Sequence, residues 1–167
     1  MGSGKSSVGR ELARQTGLPF EDTDLLIRGR VGQSISEIFA AHGEAFFRAQ
    51  ERAALRELQT RQRFVLATGG GIVLDPANRT TLRSLGPVVC LTAEEETIWA
   101  RVSRNRHRPL LDTPNPRQTL RELLTTRSPL YEEVADFTVD STGLSHGEVA
   151  RQILTVVQGW SGRSDDR

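Results

Sequence analysis

The chain begins Met1-Gly2-Ser3-Gly4-Lys5-Ser6-Ser7, and nothing else in it constrains the fold as tightly. Gly4-Lys5-Ser6 is the closing half of the phosphate-loop pattern G-x-x-x-x-G-K-[ST]. A loop of that kind is fed by a strand and opens a helix, so it belongs to an α/β architecture. The pattern's first glycine falls two residues ahead of Met1. Read alone, the stretch is either a nucleotide site without its front half or a flexible Gly-Ser run. The helical pattern immediately behind it, residues 6–15, favours the nucleotide site. In such a loop glycines let backbone N–H groups crowd around phosphate oxygens, and the helix adds its positive N-terminal end. Lys5 reaches the terminal phosphates as a point charge, and Ser6 offers its hydroxyl to Mg²⁺.

The rest of the pattern agrees with that architecture. Gly17-Leu18-Pro19 ends the first helix, and residues 19–24 form a short strand candidate. Residues 25–31 and 35–42 read as two short helices, punctuated by Gly43. Residues 43–62 are the longest helical pattern, with Phe46, Ala49, Ala53 and Leu58 among its apolar positions. Residues 64–67 form a buried strand candidate ahead of Thr68-Gly69-Gly70-Gly71. A helix over 76–85, a strand over 87–91 and a helix over 93–104 follow. Residues 105–116, rich in arginine and proline, read as a loop. Helices over 117–127 and 145–158 flank a strand over 137–139. Strands alternating with helices predict an α/β fold, with a parallel sheet covered by helices on both faces. At 167 residues the chain has room for one domain with a real core.

Composition removes several alternatives. With 22 basic and 21 acidic residues the net charge is +1, which argues against nucleic-acid binding as the main task. Aromatic residues make up 5%, too few to suggest base-stacking surfaces. Cys90 is the single cysteine and sits in Val88-Val89-Cys90-Leu91, so it reads as a buried thiol in a reducing cytosol. No apolar run approaches the roughly 20 residues of a membrane helix. The Gly- and Ser-rich opening lacks the apolar core of a signal peptide.

Five further stretches carry potential chemistry. Glu21-Asp22-Thr23-Asp24 closes the first strand candidate. Residues two apart in an extended segment share a face, so Asp22 and Asp24 are expected to point the same way. At the carboxyl end of a strand, two carboxylates serve Mg²⁺ and accept a proton from an alcohol. An isolated D-x-D is more often a solvated acidic turn. Arg48 and Glu51 stand one helical turn apart. The plain reading is a surface ion pair worth under about 1 kcal/mol. The sharper one is that Glu51 fixes Arg48, whose fork then takes a substrate carboxylate bidentately. The glycines at 69–71 cost more chain entropy than a turn requires and point to a ligand lying on the backbone. Arg101, Arg104, Arg106 and Arg108 lead into Pro109-Leu110-Leu111. That cationic loop either closes over a polyphosphate or stays solvated. Arg127-Ser128-Pro129-Leu130-Tyr131 reads as an arginine that ends a helix before a proline. His42, His107 and His146 show no metal-ligand spacing and read as surface or capping residues.

Taken in order, G-S-G-K-S, E-D-T-D, F-R-x-x-E, T-G-G-G, R-P-L-L and R-S-P-L-Y resemble the shikimate kinase family, in register from Gly2 to about Leu154. The resemblance implies a nucleoside-monophosphate-kinase-like fold, three layers α/β/α, around a short parallel sheet. The family has five strands with the phosphate-loop strand in the interior; four are expected in this chain. It implies a single kinase domain over residues 1–158 with a lid at about 105–116, and a disordered tail over 159–167. The implied reaction moves the γ-phosphate of ATP to the 3-hydroxyl of shikimate with Mg²⁺, a step of aromatic amino acid biosynthesis. By position, Gly2, Ser3, Gly4, Lys5, Ser6 and Ser7 resemble the phosphate loop, with Ser6 on Mg²⁺ and Asp22 linked to the ion through water. Asp24 resembles the residue that holds the shikimate hydroxyls and takes the proton. Arg48 and Arg127 resemble the pair that grips the substrate carboxylate, and Gly70 and Gly71 the backbone beneath it. Arg108 is similar to the lid arginine on the phosphates, and Arg101 to the arginine that packs on adenine. The adenine loop near Ser145 and His146 departs from the family pattern.

The expected partners are ATP and shikimate, with neither nucleic acid nor membrane, for a cytoplasmic monomer. Gluconate kinases are the nearest enzymatic rival, sharing the fold and an anionic polyol substrate. A kinase-like binding protein that has lost catalysis is the rival of another class. The half-pattern at Gly2 carries one more expectation: Met1 is not the natural start, and a strand belongs ahead of it. The chain as given is then expected to leave a gap beside the loop after Thr68, with Gly2 and Ser3 poorly fixed.

Overall fold

The structure, a computed structural model, describes residues 2–103 and 109–162. Gly4 takes the left-handed conformation (φ 87°) and releases the chain into helix α1 (Lys5–Thr16). Gly17, also left-handed at φ 70°, stops it. Strand β1 (Phe20–Asp22) follows. Asp22 then caps helix α2 (Thr23–Val31), its side chain accepting from the Asp24 and Leu25 N–H groups. The strand therefore ends two residues earlier than the pattern predicts. Asp24 sits in the first helical turn rather than on the same strand face as Asp22. The reason is local: an aspartate at an N-cap satisfies N–H groups that would otherwise have no helical partner.

Helix α3 (Ile35–Leu58) starts at a capping box between Ser34 and Glu37 and is broken at Gly43 (φ 76°, ψ 176°). Strand β2 (Val65–Ala67) leads through the glycine loop and a 3₁₀ turn (Ile72–Leu74) to helix α4 (Pro76–Leu85). Strand β3 (Val89–Thr92) and helix α5 (Glu95–Val102) come next. A second 3₁₀ turn (Pro109–Leu111) precedes helix α6 (Pro116–Val134). Strand β4 (Phe137–Asp140) and helix α7 (His146–Val157), with a capping box between Ser145 and Glu148, complete the chain. Pro129 does not end its helix: α6 runs past it to Val134. An interior proline forfeits one backbone hydrogen bond. Burial of Val134 and packing of Leu130 and Tyr131 against Leu55, Leu58 and Ile72 offset that loss.

The four strands form two parallel pairs. β1 lies beside β2 with Phe20 opposite Val65 and Asp22 opposite Ala67. β3 lies beside β4 with Val89 opposite Phe137 and Thr92 opposite Asp140. Among the described residues no strand joins the pairs, and a cavity of about 940 Å³ lies between them. Val65, Leu66 and Ala67 line it on one side and Val89, Cys90 and Leu91 on the other. The expected gap beside the glycine loop is thus present. Helices bridge it instead. On one face Val8 of α1 and Val149 and Ile153 of α7 pack with Val139 of β4. On the other face Leu55 and Leu58 of α3, Leu82 of α4 and Val134 of α6 form the largest core cluster. The helix α5 contributes Ile98 and Val102, packed on Leu120 of α6.

α1 approaches the first strand pair through Gly9. A Cβ there would lie 2.7 Å from the Phe20 ring and 3.6 Å from the Ala67 Cβ. Gly9→Ala is expected to lever α1 off β1 at a cost of about 1–3 kcal/mol. Because α1 carries the phosphate loop, the melting temperature and the affinity for an ATP analogue should fall together. Thermal melts and nucleotide titration of the variant check this.

Candidate active site

The loop Gly2-Ser3-Gly4 is held from three directions. Gly2 is left-handed (φ 74°), and a Cβ on it would meet Val102 Cγ1 of α5 at 2.7 Å. Arg101 Nη1 donates to the Gly2 carbonyl at 3.4 Å and to Ser141 Oγ at 3.2 Å, while its Nη2 donates to the Ser141 carbonyl at 3.1 Å. Ser3 is buried and its carbonyl accepts from Ser141 Oγ. Gly2 and Ser3 are therefore fixed, contrary to expectation, because α5 and the turn after β4 grip them where a preceding strand was expected to. Gly4 supplies no capping side chain, so the first-turn N–H groups of α1 are left for an anion.

Beyond the loop, Ser6 Oγ donates to Asp22 Oδ2 at 2.7 Å, while Asp22 Oδ1 receives the α2 backbone. Hydroxyl and carboxylate oxygens side by side are hard donors of the kind Mg²⁺ uses together with phosphate and water. Among the described residues no cluster of three or more His, Cys, Asp or Glu forms a protein-only metal cage. Asp24 projects toward the glycine loop. A Cβ on Gly69 would lie 2.8 Å from Asp24 Oδ1 and 3.0 Å from Glu51 Oε1, so two carboxyl groups flank that glycine.

Glu51 is fully buried. Its Oε2 accepts from Arg48 Nη1 at 2.7 Å, and its Oε1 takes no hydrogen bond among the described residues. Burial pushes the Glu51 carboxyl up to about 7; Arg48 works against that shift and Asp24 adds to it. Arg48 also donates through Nε and Nη2 to Glu44. Its guanidinium lies over Gly71, where a Cβ would sit 2.7 Å from Cζ. Only glycine leaves the arginine room.

The glycine loop is tied at successive polar groups. The Gly69 N–H donates to Thr23 Oγ1 at 3.0 Å, and the Gly69 carbonyl accepts from the Ile72 N–H. Tyr131 donates to the Gly70 carbonyl at 2.6 Å. Arg127, one turn before Tyr131 on α6, is buried at 5% exposure and makes no ion pair with any carboxylate of the described residues.

These groups meet in one pocket of about 490 Å³. It gathers Gly2, Gly4, Lys5, Ser6 and Ser7 from the loop, together with Asp24, Arg48, Gly70, Gly71, Arg101 and Arg127. Ser3 and Asp22 are buried and do not line it. Arg104, Arg106, His107 and Arg108 fall outside the described residues, although Pro109 and Leu110 of the expected lid line the pocket. His146, expected at the surface or in a cap, is exposed but also lines the pocket, close to Gly4. An apolar wall of Ile35, Phe39 and Phe47 is not legible in the sequence, because their helical spacing looks like ordinary core. Tyr131 is equally silent there, since a tyrosine after a proline carries no signal of its own.

A phosphate loop that opens onto a pocket of arginines and carboxylates defines a small-molecule kinase of the P-loop class. The family model described as shikimate kinase matches residues 1–158. The chain is 49% identical to a shikimate kinase of Thioalkalivibrio sulfidiphilus over 92% of its own length and 80% of the relative's. It is 46% identical to one of Vibrio parahaemolyticus, over 95% and 92% respectively. The structure of a shikimate kinase from Acinetobacter baumannii in complex with shikimate superposes with a TM-score of 0.91 at 42% identity, covering 95% of this chain and 88% of that one. The chain belongs to the shikimate kinase family.

Glu51 makes stability depend on pH in a defined direction. Its folded pKa of about 7 lies above the ordinary 4.5, so the folded state holds this proton more tightly than the unfolded state. The stabilisation is full below the ordinary value and is lost as pH rises through about 7. Glu51→Gln should flatten that part of the profile, and melting curves between about pH 5 and pH 8 on both proteins measure it.

Proposed function

We propose that the chain transfers the γ-phosphate of ATP to the 3-hydroxyl of shikimate, giving shikimate 3-phosphate and ADP. Arg127 carries the reading. A buried guanidinium that makes no ion pair among the described residues is costly to keep, and a substrate carboxylate compensates it. Arg48 lines the same pocket, its orientation held by Glu51. A neutral sugar would leave both cations without that partner, which selects for an acid. Gluconate is the alternative anionic polyol. The Asp-Thr-Asp, Thr-Gly-Gly-Gly and Arg-Ser-Pro-Leu-Tyr set favours shikimate.

Phosphoryl transfer asks for alignment and charge neutralisation more than for covalent help. In this reading Gly2, Ser3 and Gly4 present backbone N–H groups to the phosphates, with Ser6 and Ser7 at the first turn of α1. Lys5 places its ammonium against the terminal phosphates. Ser6 and, through water, Asp22 would hold Mg²⁺, which would supply charge neutralisation on the phosphate oxygens. Asp24 orients the 3-hydroxyl and takes its proton. Arg48 and Arg127 fix the carboxylate over Gly70 and Gly71. Arg108 closes with a lid over residues 105–116, adding positive charge and excluding water. Arg101 borders the adenine side while clamping Gly2 and Ser141. The enzyme acts as a cytoplasmic monomer on these two small molecules, with neither nucleic acid nor membrane as a partner. No helix among the described residues is long and apolar enough to cross a membrane.

An ADP-release assay with shikimate and gluconate side by side tests the substrate. Turnover of gluconate alone would reject the reading. Arg48→Lys keeps the charge and loses the planar fork. It should lower kcat/KM for shikimate about 10- to 100-fold while leaving the nucleotide Kd unchanged. Asp24→Asn should lower kcat by about 10²- to 10⁴-fold with the melting temperature close to that of the parent. An Asp24→Asn variant with most of its turnover would remove Asp24 from the chemistry.

A further inference from the structure

The pattern Arg127-Ser128-Pro129-Leu130-Tyr131 contributes more than its arginine. Tyr131 is the only tyrosine of the chain. It stands on α6 one turn after Arg127 and lines the cavity that separates the strand pairs, while its partner Gly70 borders both that cavity and the substrate pocket. Its hydroxyl donates to the Gly70 carbonyl at 2.6 Å. The described chain contains no cis peptide bond, so the Gly70 carbonyl and the Gly71 N–H belong to one planar trans unit and point in opposite directions. Holding the carbonyl toward α6 therefore aims the Gly71 N–H away from α6.

The rest of the loop leaves that N–H for a ligand. The Gly69 N–H goes to Thr23, and the Gly69 and Gly71 carbonyls accept from Ile72 and Leu74. With Gly70 held by Tyr131, the loop's carbonyls from Gly69 to Gly71 are all engaged. Among the described residues no group accepts from the Gly70 or Gly71 N–H. Gly71 itself lies against the Arg48 guanidinium and lines the pocket. A glycine run has no side chains to fix its peptide planes, so an outside group must do so. Thr23 does this at one end of the run and Tyr131 at the other.

We propose that Tyr131 is a positioning residue for substrate recognition: its hydrogen bond to the Gly70 carbonyl fixes the Gly70–Gly71 peptide so that the Gly71 N–H joins Arg48 and Arg127 around the substrate carboxylate. The proposal rests on the assignment of these arginines to the carboxylate. It adds a specificity element carried by α6, which thereby supplies both a cation and the orientation of a backbone donor. Burial holds the phenol above its ordinary pKa, with Arg127 acting in the opposite sense, so the hydroxyl stays a donor through the neutral range.

Tyr131→Phe keeps the ring and its packing and removes the hydroxyl, which donates to the Gly70 carbonyl and also meets the Arg127 guanidinium. The variant should melt within a few degrees of the parent and bind nucleotide with an unchanged Kd. Its KM for shikimate should rise about five- to thirtyfold, with kcat changed far less. A substrate analogue in which a neutral hydroxymethyl group replaces the carboxylate separates the roles. Parent and Tyr131→Phe should use that analogue with equal kcat/KM, because the penalty acts through the carboxylate. Parental KM for shikimate in the variant, an equal loss on both substrates, or a parallel loss of nucleotide affinity would each overturn the proposal. Arg48→Lys is run alongside. If Arg48→Lys discriminates between the two substrates and Tyr131→Phe does not, only the role of Tyr131 falls. If neither discriminates, the carboxylate assignment falls and takes this proposal with it.

Discussion

The site depends on the carboxylate of Asp22. One oxygen receives the Ser6 hydroxyl, and the other receives two backbone N–H groups that begin α2. One side chain thus joins the phosphate loop, the end of β1 and the helix that carries Asp24. Charge-assisted hydrogen bonds of this kind are short and strong. Their geometry sets where the phosphate-binding helix stands relative to the acid side of the pocket. The same residue that fits the metal site is also a helix cap, so binding chemistry and local folding are not separable there.

The acceptor side of the pocket is organised by charge balance. Glu51 is buried beneath Arg48, with Asp24 beside it at Gly69 and Arg127 within its field. Taking charges out of water is expensive, and such a group survives only with partners or with a proton. Glu51 shows both: an arginine on one oxygen and a raised pKa that brings a proton within reach near neutrality. Arg48 is turned over the glycine loop, and Gly71 must lack a side chain for it to lie there. The arginine and the glycine therefore constrain one another, across more than twenty positions of sequence.

The central cavity shows how the pieces hold together without a continuous sheet. β2 and β3 face it with apolar side chains, and the pairs are linked by helices rather than by a backbone ladder. α1 and α7 connect them on one face. On the other, Tyr131 and Val134 of α6 reach the cavity beside Val65 and Leu66. Ser141, Arg101 and Val102 hold the loop from the second pair, while Asp22 and Gly9 fix α1 to the first. The phosphate loop consequently bridges the two halves of the molecule at the carboxyl ends of their strands, where open α/β folds place ligands.

Some of this was legible in the sequence because its cause is local. Helix starts follow from caps such as Ser34 and Ser145, which satisfy backbone N–H groups within a few residues. The Gly4-Lys5-Ser6 loop and the glycine run at 69–71 announce themselves because few functions tolerate their entropic cost. The order of motifs identified the family because six short patterns in register are far more specific than any one of them. Other features required the tertiary structure. Pro129 inside α6 contradicts local preference, and only packing against Leu55 and Leu58 explains it. Asp24 left the strand face because Asp22, two residues before it, caps a helix with one oxygen while the other takes the hydroxyl of Ser6, sixteen positions away in the chain. Glu51 is a surface ion pair by spacing and a buried acid in fact, since burial is decided by which helix face the fold covers. Tyr131 gained its role from a carbonyl sixty-one positions away. Sequence by itself determined the elements, the motifs and the family, whose signals act over a few residues; the fold decided which charges are buried and which way the glycine peptides face, because those depend on neighbours that only chain folding brings together.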